Sequence, residues 1–323
     1  MSTVLATSKA LPLGDAQFVA DVRTGLSRNG QKRLPPKYFY DALGSILFEA
    51  ITQLPEYGLW RAEHGLLREH AAEIATLAGA ANVIELGSGS ATKTAVLLRA
   101  LLRHRRVAYC AIDVSATALE LTHQALGGLA GLNLRSIESE YLAGLEAALH
   151  SRAGGVTLVL LLGSSLGNLD SMASMRFLRG VRALLQPGDA LLLGADLLKD
   201  EARMLAAYDD VLGVTAAFNL NLLGRMNREL GADFALERFN HRVRFNHETY
   251  NVEMHLESCG ENVVHFRDGF SVLLHDCETI HTENSHKYTL GELESLIAQS
   301  GLRSAAQWID EDWKYASCLL FAI

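Results

Sequence analysis

The sequence predicts an α/β protein in which a largely parallel, doubly wound sheet of seven strands is interrupted by an inserted α+β piece. Three observations carry this. From Asn82 to Gly194 short apolar runs alternate with helix-periodic stretches, the pattern of strand–helix–strand units joined by right-handed crossovers. After Asp196 the alternation stops, and from Phe239 the chain turns into a series of strand-like runs. A helix at 290–300 and two closing strand runs then complete the sheet.

Taken in order, residues 1 to about 20 read as a weakly ordered lead-in, followed by a short helix from Ala20 to Leu26. Pro35 and Pro36 fix an extended entry into the aromatic run Tyr38-Phe39-Tyr40. Leu47, Phe48, Ile51 and Leu54 keep helical spacing until Pro55, and a turn at 55–60 leads into a helix from Arg61 to Ala78. Strands are expected at 82–86, 107–112, 132–137, 156–162 and 190–194, with Gly154-Gly155 and Pro187-Gly188 punctuating their starts. The fourth run is apolar almost throughout, as a strand covered on both faces must be. A long helical region is expected from Glu201 to Leu230, then strand runs at 243–246, 251–257, 262–266 and 278–282. The closing strands fall at 304–308 and 317–323. This divides the chain into a domain of residues 62–195 plus 288–323 and a second of residues 20–61 plus 196–287.

Composition narrows the function. The formal net charge is −8 and the longest basic cluster is Arg103-His104-Arg105-Arg106, so a nucleic-acid backbone is excluded as substrate and a small molecule is expected. The four cysteines are scattered without Cys-x-x-Cys spacing, which fits reduced thiols rather than a disulfide frame or a zinc site. Met1–Leu13 lacks an apolar core behind a basic head and no run reaches membrane-spanning length, so a cytoplasmic location away from the membrane is expected. A monomer is the default expectation, although nothing in the sequence reads out the oligomeric state.

The chemistry is concentrated in Val83-Ile84-Glu85-Leu86-Gly87-Ser88-Gly89-Ser90-Ala91-Thr92-Lys93-Thr94. A strand enters a glycine-rich turn and a helix leaves it, a geometry that brings backbone N–H groups close to a polar cofactor. Asp113 ends the next strand and is placed to grip ribose hydroxyls. Both nicotinamide enzymes and S-adenosylmethionine methyltransferases use that arrangement. The loop lacks the third, more distant glycine of the dinucleotide fingerprint and has the compact form of class I methyltransferases. Across the sheet, the fourth strand breaks into the polar loop Gly163-Ser164-Ser165-Leu166-Gly167-Asn168-Leu169, which should lie beside the Gly87 loop. His275, Cys277, His281, Glu283 and His286 could suggest a metal cluster. Their spacing matches no helix-borne pair, and strict alternation sends His281 and Glu283 to one face and His286 to the other, so no metal is expected.

Over nearly its whole length the chain resembles the histidine Nα-methyltransferases of ergothioneine biosynthesis. The resemblance rests on 34–41 (Leu-Pro-Pro-Lys-Tyr-Phe-Tyr-Asp), 54–57 (Leu-Pro-Glu-Tyr), 85–89, 163–169, 207–210 (Ala-Tyr-Asp-Asp) and 213–219 (Gly-Val-Thr-Ala-Ala-Phe-Asn). It implies a Rossmann-like class I methyltransferase sheet with an inserted substrate-binding domain, and three methyl transfers from S-adenosylmethionine to the α-amine of histidine, giving hercynine. It further implies that Tyr57, Asn168 and Tyr208 hold the amino-acid end, with Gly163 at the head of their loop. Glu283 and Ser285 would take the imidazole, and Met254 would line its pocket. Tyr40, Gly87, Lys93 and Asp113 would surround the methionine and ribose parts of the cofactor, and Glu140-Tyr141 the adenine. Lys93, a cation at a helix start, calls for a carboxylate partner, which the methionine end of the cofactor would be. The attacking amine must be neutral, so either a bound water or a hydroxyl such as Tyr40 accepts its proton, or the site selects the neutral amine. Two departures stand out: 58–60 reads Gly-Leu-Trp where well-known members have Tyr-Pro-Thr, and Glu140 stands for Asp. The first keeps another aromatic amino acid or amine open as substrate. A cofactor-binding module without turnover is the reading from a different class.

Overall fold

The structure is a computed structural model that describes residues 16–152 and 154–322. Seven strands, Asn82–Leu86, Val107–Asp113, Leu132–Glu138, Thr157–Leu161, Ala190–Asp196, Leu302–Asp310 and Tyr315–Ala322, form one sheet. Counted along the chain, they lie across it in the order sixth, seventh, fifth, fourth, first, second, third. All neighbours are parallel except the seventh strand, which pairs antiparallel with the fifth and the sixth. This is the class I methyltransferase sheet. The chain reverses its direction of winding between the first and fourth strands, so the loops beyond their carboxyl ends part and leave a crevice.

The strand sequences explain the packing. Val83, Tyr109, Ala111, Leu158, Leu160 and Leu192 pack into one apolar cluster, and Ile84, Cys110, Ile112, Val159, Leu161, Leu191 and Leu193 into another on the opposite face. Period-two alternation with both sets buried is what a sheet covered by helices on both sides demands. Truncating one of these leucines to Ala would cost about 2–5 kcal/mol.

The inserted piece carries a four-stranded sheet ordered Lys32–Arg33, Thr279–His286, Asn251–Ser258, Phe239–Asn246, with a hairpin of Asn262–His265 and Ser271–Leu274 beside it. Its Met254, Leu256 and Ile280 join the same apolar cluster as Val83 and Leu158, so the core runs without a break from one piece into the other. The helix Val214–Leu230 packs on this sheet and against the helix Ala42–Thr52.

Four expectations change. The lead-in lies outside the described residues up to 15, and 16–20 belong to a helix, Ala16–Leu26. The long helical region is two helices, Glu201–Ala206 and Val214–Leu230. Asp210 breaks it by accepting the N–H groups of Val214 and Thr215 at 2.9 and 2.7 Å, which caps the second helix and leaves Tyr208 in a turn. The strand expected at 278–282 extends through His286, and the short strands at Lys32–Arg33 and Ser271–Leu274 were not signalled by periodicity. Among the described residues no helix is long and apolar enough to cross a membrane.

Candidate active site

A cavity of about 820 Å³ opens at the crevice between the first and fourth strands and is walled on its far side by the inserted piece. On the sheet side Gly87 and Gly89 have φ of 74° and 51°. A Cβ on Gly87 would stand 2.8 Å from the Tyr141 hydroxyl, so conformation and space both call for glycine there. Asp113 accepts the Gly89 and Ser115 N–H groups at 3.1 and 3.0 Å, one on each oxygen. Burial holds its pKa above the ordinary carboxylate value, against those hydrogen bonds. Its remaining lone pairs suit the hydroxyls of a ribose. Beneath the loop, Glu85 is buried with Thr94 and the Tyr109 hydroxyl as donors, and burial pushes its pKa up to about 7.

Lys93 lines the same cavity, but its carboxylate partner is supplied by the protein: Glu63, fully buried in the helix Gly58–Ala78. That glutamate also accepts the Gly163 N–H at 2.9 Å and the Tyr315 hydroxyl, so it ties the Gly163 loop to the lysine. Glu140 is exposed at the rim and pairs with Lys37 at 2.7 Å, while Tyr141 packs edge-on to Phe177.

On the other side the Tyr40 ring meets Phe48 and Phe218 edge-on. Burial, then the charge of Glu283, raises its pKa well above the ordinary phenol value, so the hydroxyl keeps its proton. Tyr57 packs against Tyr208 with ring centroids 6.1 Å apart. Asn168 Nδ2 donates to Glu283 Oε1 at 3.3 Å, and the Tyr208 and Ser285 hydroxyls lie 2.6 Å apart. Burial raises the Glu283 pKa to about 7, opposed by Lys287. Met254 faces Glu283 across the strand pair, and Gly163 starts its loop at φ 72°. Every residue expected at the site therefore lines one cavity, Glu140 at its edge.

The strand that carries Glu283 does not alternate as expected. Its pairing skips Thr282, so that His281 faces His255 and Glu283 faces Met254. The Thr282 hydroxyl is held by Asn219 Oδ1 and the Met254 carbonyl, which fixes this bulge. Glu283 and Ser285 point into the cavity as a result, and His281 turns away from it. On that other face Glu253, His255 and His281 bring one ligand-type atom each within 4.8 Å, with Arg33 and Arg244 adding positive charge nearby. His275, Cys277 and His286 are not part of that group.

Residues 18–322 match the family model described as histidine-specific methyltransferase, SAM-dependent. The chain belongs to this family. Members of the histidine-specific methyltransferase family that it resembles include the histidine N-alpha-methyltransferase of Mycolicibacterium smegmatis, 41% identical over 299 residues and 90% of both chains. The enzyme of the same name from Mycobacterium tuberculosis is 40% identical over 297 residues, again 90% of both. An L-tryptophan methyltransferase of Psilocybe serbica is 26% identical, covering 90% of this chain and 88% of its own. S-adenosylmethionine is the cofactor of this family, and the close approach that Gly87 allows, with the acceptor capacity left on Asp113, is compatible with a nucleoside.

The departure at 58–60 has a physical reason at one position. A Cβ on Gly58 would fall 2.1 Å from the Trp313 ring, so this chain needs glycine where that tryptophan packs. Trp60 lines the cavity and stacks on His64 at 4.8 Å. Reasoning from the sequence missed Glu63, Phe48, Phe218 and the buried Lys287. Glu63 could have been found as the lone acid among Leu59, Leu66 and Leu67 on the apolar face of its helix.

Proposed function

We propose that the protein transfers methyl groups from S-adenosylmethionine to the α-amine of L-histidine and goes on to the trimethylated betaine. The observation that carries this reading is the single cavity in which the Gly87 and Asp113 cradle meets Glu283, Ser285, Tyr57 and Asn168. In it Asp113 takes the ribose hydroxyls, Lys93 and Tyr40 border the methionine end, and Tyr141 and Glu140 border the adenine. Glu283 accepts an imidazole N–H and Ser285 meets the second ring nitrogen, beside Met254. Asn168 gives one amide N–H to Glu283 and keeps the other for the substrate carboxylate, with Tyr57, Gly163 and the Tyr208 ring walling that end. Cofactor residues other than Tyr40 belong to 62–195 plus 288–323 and most substrate residues to 20–61 plus 196–287, which we take as the two domains.

The cofactor supplies an electrophilic methyl on a sulfonium. The protein's part is to hold the amine in line with it, worth several orders of magnitude in rate. The attacking amine must be neutral. Tyr40 stays a phenol, so its hydroxyl orients the amine by accepting a hydrogen bond, and the proton leaves through water in the open cavity. A substrate anchored at its carboxylate and its ring leaves the amine free to rotate, so loss of N–H groups on successive methylation does not weaken its hold.

A related amine with another aromatic ring is the second reading, favoured by Trp60 at the cavity wall. An assay with labelled cofactor against histidine, tryptophan and tyrosine separates the two. Turnover of histidine alone is expected, and turnover of tryptophan or tyrosine with none of histidine would refute the first reading. We propose a monomeric cytoplasmic enzyme, to be checked by sedimentation.

A further inference from the structure

Lys287 is fully buried at the end of the strand that carries Glu283 and Ser285, and it does not line the cavity. Its Nζ donates to Asp196 Oδ2 at 2.9 Å, to the Tyr208 hydroxyl at 2.9 Å and to Ser285 Oγ at 2.8 Å. An ammonium has three hydrogens, so its donors are all spent. Asp196 is itself locked, with Lys199 and the Trp313 indole N–H on its other oxygen at 2.5 and 3.0 Å. The lysine has nowhere else to turn.

Counting protons gives the consequence. The Tyr208 and Ser285 hydroxyls carry one hydrogen each, both accept from Lys287, and one hydrogen is used in the bond between them. One hydroxyl hydrogen is left for the cavity. A phenol is the better donor and the poorer acceptor of the two, so Tyr208 donates to Ser285. Ser285 then accepts twice, which fills its lone pairs, and its own O–H is the one left over. We propose that Lys287 is a positioning residue for specificity: it forces Ser285 to act only as a donor, so that Glu283 and Ser285 together read a ring with one N–H and one bare nitrogen.

This rests on the proposed histidine reading and deepens it. A neutral imidazole satisfies both groups. An indole offers an N–H to Glu283 and nothing to Ser285, and the unmet buried donor works against it. Without Lys287, Ser285 is free to turn and accept, and that discrimination is lost.

The test is steady-state kinetics on the full chain with histidine and tryptophan. Lys287→Met, which keeps the length and removes the donors, should raise KM for histidine about tenfold with kcat nearly unchanged and S-adenosylhomocysteine affinity intact. A merely structural lysine would instead lower the active fraction and cofactor binding together. The preference for histidine over tryptophan, in kcat/KM, should fall by the same factor, and Lys287→Gln, with two N–H donors, should recover part of it. Adding Ser285→Ala to Lys287→Met should cost no more than Ser285→Ala alone, because one acts through the other. Unchanged histidine KM in a variant that still binds cofactor, or fully additive losses, would overturn the proposal. If Lys287→Met does not fold, Ser285→Ala is read by itself: a loss confined to histidine supports the donor role, and equal losses for both substrates overturn it. A parent that turns over histidine while these outcomes fail sinks only this inference; a parent inactive on histidine sinks the functional reading first.

Discussion

Replacing Glu283 by Gln should move stability and binding in opposite directions. The carboxylate is buried, with Asn168 Nδ2 as its hydrogen-bond donor, and its pKa is pushed from 4.5 up to about 7. Between these values the native state holds a proton that the unfolded chain has released, so stability falls as pH rises through that window. The shift of about 2.5 units amounts to about 3 kcal/mol at pH 8, where both states are ionised, and to under about 1 kcal/mol at pH 5. Glutamine keeps the shape and removes the charge. Relative to the parent, Glu283→Gln should therefore gain about 2 kcal/mol on going from pH 5 to pH 8, which for a chain of this size is about 3 °C in Tm. Reading the difference between variant and parent cancels the buried histidines, which titrate over an overlapping range. Histidine affinity should meanwhile fall about tenfold, because a neutral amide oxygen accepts the ring N–H more weakly than a carboxylate does. Thermal scans at several pH values and calorimetry with S-adenosylhomocysteine present supply the two numbers. A Tm difference that does not grow with pH, or undiminished histidine binding, would refute the reasoning.

Three further outcomes are expected. Asp113→Ala should weaken S-adenosylmethionine and S-adenosylhomocysteine alike, by about tenfold in titration, since the two share the ribose; unchanged cofactor affinity with lost turnover would move Asp113 into the chemistry. Tyr40→Phe should lower kcat about tenfold while leaving the pH dependence of the rate in place, because the phenol never ionises in the working range; disappearance of a limb of the pH profile would make Tyr40 the base. Gly58→Ala should cost about 1–3 kcal/mol by overpacking against Trp313, read as a lower denaturant midpoint, and an unaltered midpoint would contradict that packing.

Much of the sheet was legible because period-two apolar runs between helices have few other solutions. The Gly87 turn and Asp113 were legible for a related reason: a turn that a side chain would block must be written in glycine. The second half of the site was less so. Glu283 and Ser285 share a face with each other but not with His281 only because Thr282 bulges out, and nothing in a run of polar residues marks which one will be skipped. Tyr208 looked like a helix position until Asp210, an acid three residues ahead of Gly213, proved to cap the next helix. Glu63 and Lys287 act through partners distant in the chain, Gly163 and Tyr315 for one, Asp196 and Tyr208 for the other, and such pairings become visible only when the chain is folded.

Mass spectrometry of a time course with histidine and excess S-adenosylmethionine tests the central claim most directly. The account predicts that mono- and dimethylhistidine pass through as transients and that the trimethylated betaine is the end point, since the substrate is held by its carboxylate and its ring rather than by its amine. A reaction that stops at the mono- or dimethylated product, or no methylation of histidine by a protein that binds the cofactor, would contradict it.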